Sequence, residues 1–300
     1  MNNSFENSLI KKISLQQKIG HQRDMAEEKI KDFQVAYERA DKLLSEDRID
    51  MDKFQGLYDA KTIEEDKNYV ARRQKEFKED NSPRREEMHK YSVIAEAIIH
   101  DQIDMNSWLG ESATAVKTSE YDDYKYGIDE FVNFKKTKTS PSANLALGVD
   151  ITFGSDLVGK MDNIKDYIRK GDLGKIKYLL TDKYRGELRN VPRAVIGFDM
   201  KNLQELKDLW MDKKKRTLAQ HPVKYMILDQ MKLQLDAFAR YAHGVNQPAI
   251  AEAFEEVLKV LEKINTEEVK KYAGATNDFD FESDRVYRTI KNYCLELNEN

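Results

Sequence analysis

Asp129 and Asp150 lie 21 residues apart, each inside a segment with the two-residue period of a β-strand. From Gly127 to Phe134, Ile128, Val132 and Phe134 alternate with Asp129, Phe131 and Asn133. From Leu145 to Phe153, Leu147, Val149 and Ile151 point one way together with the end residues. Asp150 and Thr152 then share the opposite face with Ala146 and Gly148, an open face with room for a ligand. The polar link from Lys135 to Ala143 suits a hairpin, so closure of two antiparallel strands brings both carboxylates to one rim. Hard divalent cations want that arrangement, and magnesium is held by one or two carboxylates with water and substrate phosphates completing its shell. Such an ion activates water and neutralises charge on a phosphoryl transition state. The competing reading leaves one aspartate in solvent and the other capping a turn.

Other groups stand near this pair in sequence. Glu96 sits at the edge of the apolar stripe Met88, Tyr91, Ala95, Ile98 and Ile99 of a helix opened by Ser82 and Pro83. A carboxylate there is a solvated flank unless another acidic site lies beside it. Glu120, Asp122 and Asp123 form an acidic turn. From Lys160 to Arg193 there are ten Lys or Arg against five acids. That excess is either a solvated face or a phosphate-binding rim, and Lys165, Arg185 and Arg189 are its candidate substrate contacts.

The elements that must position these groups make a mixed α/β (α+β) chain. A small mixed sheet of about four strands is expected within residues 81–219, flanked by helices. Its strands are 114–118, the two carrying the aspartates, and 193–199, with a helix over 157–169 and an element of unclear type at 175–180. Asn202 is expected to cap the helix after the last strand. Residues 1–80 read as a helical hairpin whose narrow seam is Ile30, Phe33, Tyr37, Ala40 and Leu44. That arm either joins a second subunit, giving a homodimer, or folds back on the main domain. Residues 220–300 read as C-terminal helices beginning at Pro222, Pro248 and Glu282.

The order of helix with Glu96, strand, Gly127-Ile-Asp129, Val149-Asp-Ile-Thr152, helix and strand resembles the PD-(D/E)XK nuclease superfamily. The resemblance spans roughly Ser82 to Trp210. It implies a nuclease in which Asp129 is the central metal ligand, Asp150 the acidic residue of the third motif and Glu96 the helical carboxylate, with Mg2+ or Mn2+ as cofactor. Thr152 stands where that motif has lysine. In such folds the following helix can supply the cation, which makes Lys160 the candidate catalytic partner of Asp129 and Asp150, with Lys165 as the other choice. The alternative is a fold that has lost catalysis and binds nucleic acid or a protein partner.

Composition narrows the remaining choices. The chain of 300 residues carries 35% charged residues and a net charge of −4, which argues against a uniformly basic nucleic-acid binder while allowing a local basic patch. The single cysteine, Cys294, excludes an internal disulfide and points to a reducing, cytoplasmic setting. No signal peptide or membrane-length apolar run is seen. No Walker A or dinucleotide fingerprint occurs, no HExxH, and no Gly-x-Ser-x-Gly elbow.

Overall fold

The period-2 segments pair as their alternation requires. The structure, a computed structural model, describes residues 31–79, 82–134, 145–153, 156–271 and 279–299. The strands in chain order are β1 (Ala113–Lys117), β2 (Glu130–Phe134), β3 (Leu145–Thr152), β4 (Gly174–Thr181), β5 (Tyr184–Val191) and β6 (Arg193–Gly197). One mixed sheet has the spatial order β1-β2-β3-β6, antiparallel through β3 and parallel between β3 and β6. A parallel pair needs a crossover, and the route from β3 to β6 runs through a helix. The 175–180 element is β4, which forms a separate antiparallel hairpin with β5.

The helices are α1 (described from 31 to 47), α2 (Ala60–Glu79), α3 (Pro83–Asn106), α4 (Glu120–Tyr126), α5 (Leu157–Arg169), α6 (Met200–Met211), α7 (Lys215–Ala219), α8 (Val223–Gly244), α9 (Pro248–Lys271) and α10 (Arg285–Glu299). Ser82 caps α3 with Pro83 in its first turn, as expected. Asp199, not Asn202, caps α6, because its carboxylate reaches the backbone N–H groups of Lys201 and Asn202. The acidic turn is the helix α4: Ser119 caps its start, and Gly127 at φ 62° closes it in the left-handed region that glycine tolerates. No helix among the described residues is long and apolar enough to cross a membrane.

One face of the sheet, with Val132, Leu147, Val149 and Ile151, shares a single apolar core with α1, α3, α5, α6 and the C-terminal helices. The face expected to be open is covered over most of its length. Phe131 and Ala146 pack there against Ile176, Leu179 and Leu188 of the β4–β5 hairpin. A β-carbon on Gly148 would already meet Ile128 at 3.1 Å and Arg193 at 3.3 Å, and the cavity among the described residues lies toward Asp150. The N-terminal hairpin expectation is corrected as well. Phe33, Ala36, Ala40 and Leu44 of α1 bury into the same core as α3, with Phe33 edge-on to Tyr91 at 4.8 Å. Ile63 and Val70 of α2 instead join Tyr121 and Tyr178 in a separate cluster over α4 and β4. The two helices part because each stripe finds a complementary surface within the chain; Ile30 lies outside the described residues.

Both edges of the sheet are occupied. On β6, the Gln230 side chain accepts from Gly197 N (3.1 Å) and donates to Gly197 O (2.9 Å), and Gln234 does the same to Val195 (2.9 and 2.6 Å). A four-residue step on a helix rises about 6 Å, close to the about 6.8 Å of a two-residue step on a strand, so two amides on α8 follow the strand as a neighbouring strand would. On β1, Asp104 accepts from Ala115 N at 2.9 Å and Ile49 N donates to Lys117 O at 3.3 Å. Gln234→Met keeps volume but orphans two buried backbone groups. At about 1–3 kcal/mol for each such group, a loss of about 2–6 kcal/mol is expected by urea denaturation, and a change below about 0.5 kcal/mol would contradict this role.

Candidate active site

The register of β2 and β3 fixes where the aspartates stand. Asp129 precedes β2, and its N–H donates to Val149 O at 2.9 Å, extending the ladder by one residue. Its carboxylate Oδ2 accepts from Ile151 N at 2.6 Å, which holds it against the residue following Asp150. Its carbonyl accepts from Lys117 Nζ (2.9 Å), Thr118 N (3.1 Å) and Thr118 Oγ1 (3.1 Å), so the backbone here is pinned from β1. Asp150 is buried, with Oδ1 2.5 Å from Lys160 Nζ and Oδ2 4.0 Å from the Arg193 guanidinium. Lys160 comes from the first turn of α5, the crossover helix that must start at the end of β3. Arg193 also donates to Gly127 O (2.8 Å) and Asn163 Oδ1 (3.2 Å), tying α4, α5 and β6 together at this point.

Glu96 and Asp123 complete an acidic cluster on the wall of a cavity of about 940 Å3 that also holds Asp129, Asp150, Lys160 and Arg193. Glu96 is ion-paired to Lys117, which is fully buried, and Arg48 stands 3.5 Å from Asp123. Burial pushes the Asp150 carboxyl up to about 6, with Asp129 raising it further and Lys160 and Arg193 opposing. Asp123 and Glu96 are raised in the same way, by burial first and by Asp129 in addition. Burial alone would depress Lys117 and Lys160, yet the surrounding acids lift both above the ordinary lysine value. The acids and cations therefore hold one another in place.

The structure brings Glu96, Asp129, Asp150 and Lys160 to one cavity, as the spacing and the resemblance implied. It does not bring the other three candidates there. Lys165 is five residues beyond Lys160, about 140° around the helix at about 100° per residue, and lies 5.5 Å from the Tyr241 ring on α8. Arg185 and Arg189 are on β5, where Arg189 pairs with Glu187. Half of the basic run lies on the hairpin that covers the sheet, and further cations of the cavity wall come instead from Arg73, Arg84, Arg85 and Lys125. Among the described residues, no group of three or more His, Cys, Asp or Glu is arranged to hold a metal ion, and Glu96 pairs with Lys117. Two carboxylates and open cavity space remain, and that donor set fits magnesium, which needs only one or two.

Sequence reasoning passed over Lys117, Arg48 and Arg193, and read Asp123 as a residue of the acidic turn. A signal existed for the first: Lys117 shares its side of β1 with Ala113 and Ala115, the buried side. Asp122 and Asp123 separate by helix geometry, with Asp122 accepting from Lys177 N (2.6 Å) and Tyr178 N (3.0 Å) of β4 while Asp123 faces the cavity. His100, one turn beyond Glu96, is structural. It sits between Glu130 Oε2 and Asp47 Oδ2, each at 3.1 Å. Burial lowers its pKa, but the two acids together outweigh that and lift it to about 9.

A pH dependence of stability follows. A histidine whose folded pKa exceeds its unfolded value stabilises fully below about 6.5 and loses that contribution as pH rises through about 9. Asp150, also raised, binds protons better when folded, so its contribution falls between about 4 and 6. Both slopes have the same sign. The melting temperature is expected to fall from pH 6 to 9.5, by an amount worth about 2 kcal/mol for His100 given its half-exposed partner Asp47. His100→Gln should flatten the upper part of that profile, and an unchanged profile in the variant would contradict the assignment.

In comparisons with protein-family models, curated proteins and solved structures, none matches this chain.

Proposed function

We propose that the chain hydrolyses nucleic-acid phosphodiester bonds with Mg2+ or Mn2+ held by Asp129 and Asp150, as a member of the PD-(D/E)XK type of nuclease. The observation that carries this reading is the contact of Lys160 Nζ with Asp150 at 2.5 Å beside Asp129. It sets a cation from α5 where Thr152 leaves the third motif without one. A bound divalent ion would supply a water of lowered pKa and neutralise charge on the phosphate. The chain's own groups do the rest. Ile151 N–H orients the Asp129 carboxylate, Arg193 braces Asp150 from behind, and Lys160 is placed to donate hydrogen bonds toward the scissile phosphate. Lys117 and Lys160, both raised above the ordinary lysine value by the surrounding acids, stay protonated at neutral pH and so act as charges, not bases.

Purified protein is expected to nick plasmid DNA or cleave RNA only with added divalent metal, and EDTA should stop it. Activity unaffected by EDTA would reject the reading. One observation favours the alternative, a catalytically inactive nuclease-like fold that binds nucleic acid or a protein partner: the Lys117 ammonium already pairs with Glu96, the third expected ligand. Calorimetry separates the two, since that fold would bind nucleic acid without taking up magnesium. Among the described residues the α1 seam is buried within the chain, so a homodimer through the N-terminal helices would use another face, such as the one where Val35 is exposed. A reducing, cytoplasmic setting goes with the same reading, on the single buried cysteine.

A further inference from the structure

The acids occupy one part of the cavity wall, and another part has a different chemistry. The C-terminal half of α2, the first turns of α3 and the end of α4 contribute Arg73, Phe77, Arg85, Tyr124, Lys125 and Tyr126 to the same cavity. Phe77 is 48% exposed, although a phenylalanine so placed leaves apolar area in water. Its ring is not loose. The His89 ring stands 6.0 Å from it, tilted by 58°, and the Arg85 guanidinium lies 5.4 Å from its centroid. Burial lowers the pKa of His89, so this neighbour presents a neutral ring. A cation lies over a second aromatic nearby, Lys125 over Tyr69 at 5.0 Å, and Tyr126 has Lys175 at 5.8 Å.

We infer that this part of the cavity binds single-stranded nucleic acid, with bases stacked on Phe77 and the sugar-phosphate chain led by Arg73, Arg85 and Lys125 toward Asp129 and Asp150. The inference rests on the nuclease reading and names its substrate class. A duplex keeps its bases stacked inside and offers a protein surface its phosphates and groove edges, for which an exposed phenyl ring has no use. An unpaired strand presents base faces, and alternating rings and cations are the surface that recognises them without regard to sequence.

The test is fluorescence anisotropy of the full chain in EDTA, where cleavage cannot occur, with a labelled 20-nucleotide thymidine oligomer and a mixed-sequence duplex of equal length at one salt concentration. The single strand is expected to bind at least tenfold more tightly. Phe77→Ala should weaken that binding by about 5- to 100-fold, the effect of removing one stacking platform, while Phe77→Trp retains it and duplex binding is unchanged in both. Arg85→Ala should lower the salt dependence of binding. Circular dichroism melts of Phe77→Ala guard against a folding defect, and since its ring is half in water, the Phe77→Trp comparison holds even if the alanine variant is weakened. Equal or tighter duplex binding, no binding of either probe, or single-strand affinity indifferent to Phe77 would each overturn the inference. Strand-selective binding by a protein that never cleaves would sink the nuclease reading alone, and metal-dependent cleavage without strand preference would sink this one alone.

Discussion

Asp150→Asn is expected to cut metal-dependent cleavage by on the order of 10³-fold, the scale seen when a group that meets transition-state charge is removed. Asparagine keeps the volume and one acceptor oxygen but not the charge that Lys160 and Arg193 face. Lys160→Ala should cost about 10²-fold, in the range of a single positioned proton- or charge-handling group. The pair should be strongly non-additive, because the two side chains touch and either loss disables the same unit. The comparison that gives these numbers meaning is Lys117→Ala. Lys117 holds the buried Glu96 and the Asp129 carbonyl, so its loss leaves an uncompensated acid at a cost of about 3–5 kcal/mol in stability. Lys160 is 31% exposed and Arg193 still faces Asp150 after its removal, so Lys160→Ala should cost less stability than Lys117→Ala. Steady-state cleavage assays beside urea melts decide the matter. An Asp150→Asn protein cleaving within tenfold of wild type would place the chemistry elsewhere.

Gly197→Ala should be the most damaging single-methyl change in the sheet. Gly197 pairs with Thr152 in the parallel β3–β6 ladder, and a β-carbon there would overlap the Thr152 carbonyl oxygen and press on its side chain. Neither neighbour can yield cheaply, since the overlap is with backbone and Gly197 is clasped on its other side by Gln230. Overpacking of a rigid site costs about 1–3 kcal/mol and more where backbone must move, so a loss of about 3 kcal/mol or an insoluble protein is expected. Thr152 is two residues from Asp150, and the surviving folded fraction should also cleave poorly. Gly244→Ala is the control. Nothing lies within 4 Å of a β-carbon there, and stability should hold or rise slightly. A Gly197→Ala protein within 1 kcal/mol of wild type would mean the two strands are free to separate.

The strands were legible because the large apolar residues Leu147, Val149 and Ile151 sit on the side facing the main core while small or polar residues alternate with them, and because the polar link between the strands suits a hairpin. α5 was legible from end to end for a related reason: Leu157, Met161, Ile164 and Ile168 repeat at helical spacing and are all buried. The placement of Asp129 and Asp150 followed from those periods. What stayed hidden was set by contacts between segments far apart in the chain. β4 and β5 alternate weakly because their pairing is irregular, with register shifts between Gly174 and Ile176 and between Ile176 and Leu179, so their basic residues read as a phosphate rim. The α1 seam looked unpaired because its partner, the stripe of α3, is itself too long and apolar to reveal which neighbour covers it. Arg48 enters the site from a loop more than 40 residues upstream of Glu96, and no local pattern announces such an approach.

The glutamine clasp on β6 and the cover over β1 also govern what the chain does not do. A free sheet edge is a template for another strand, whether from a second copy, a captured peptide or a growing fibril. Here Gln230 and Gln234 occupy one margin, while Asp104 and Ile49 hold part of the other. Assembly by strand donation is therefore closed from the β6 side, and a Gln230, Gln234 double replacement by methionine should raise amyloid-dye binding on mild heating before it unfolds the helices. The amides thus act as a terminator for polymer growth along the β6 margin.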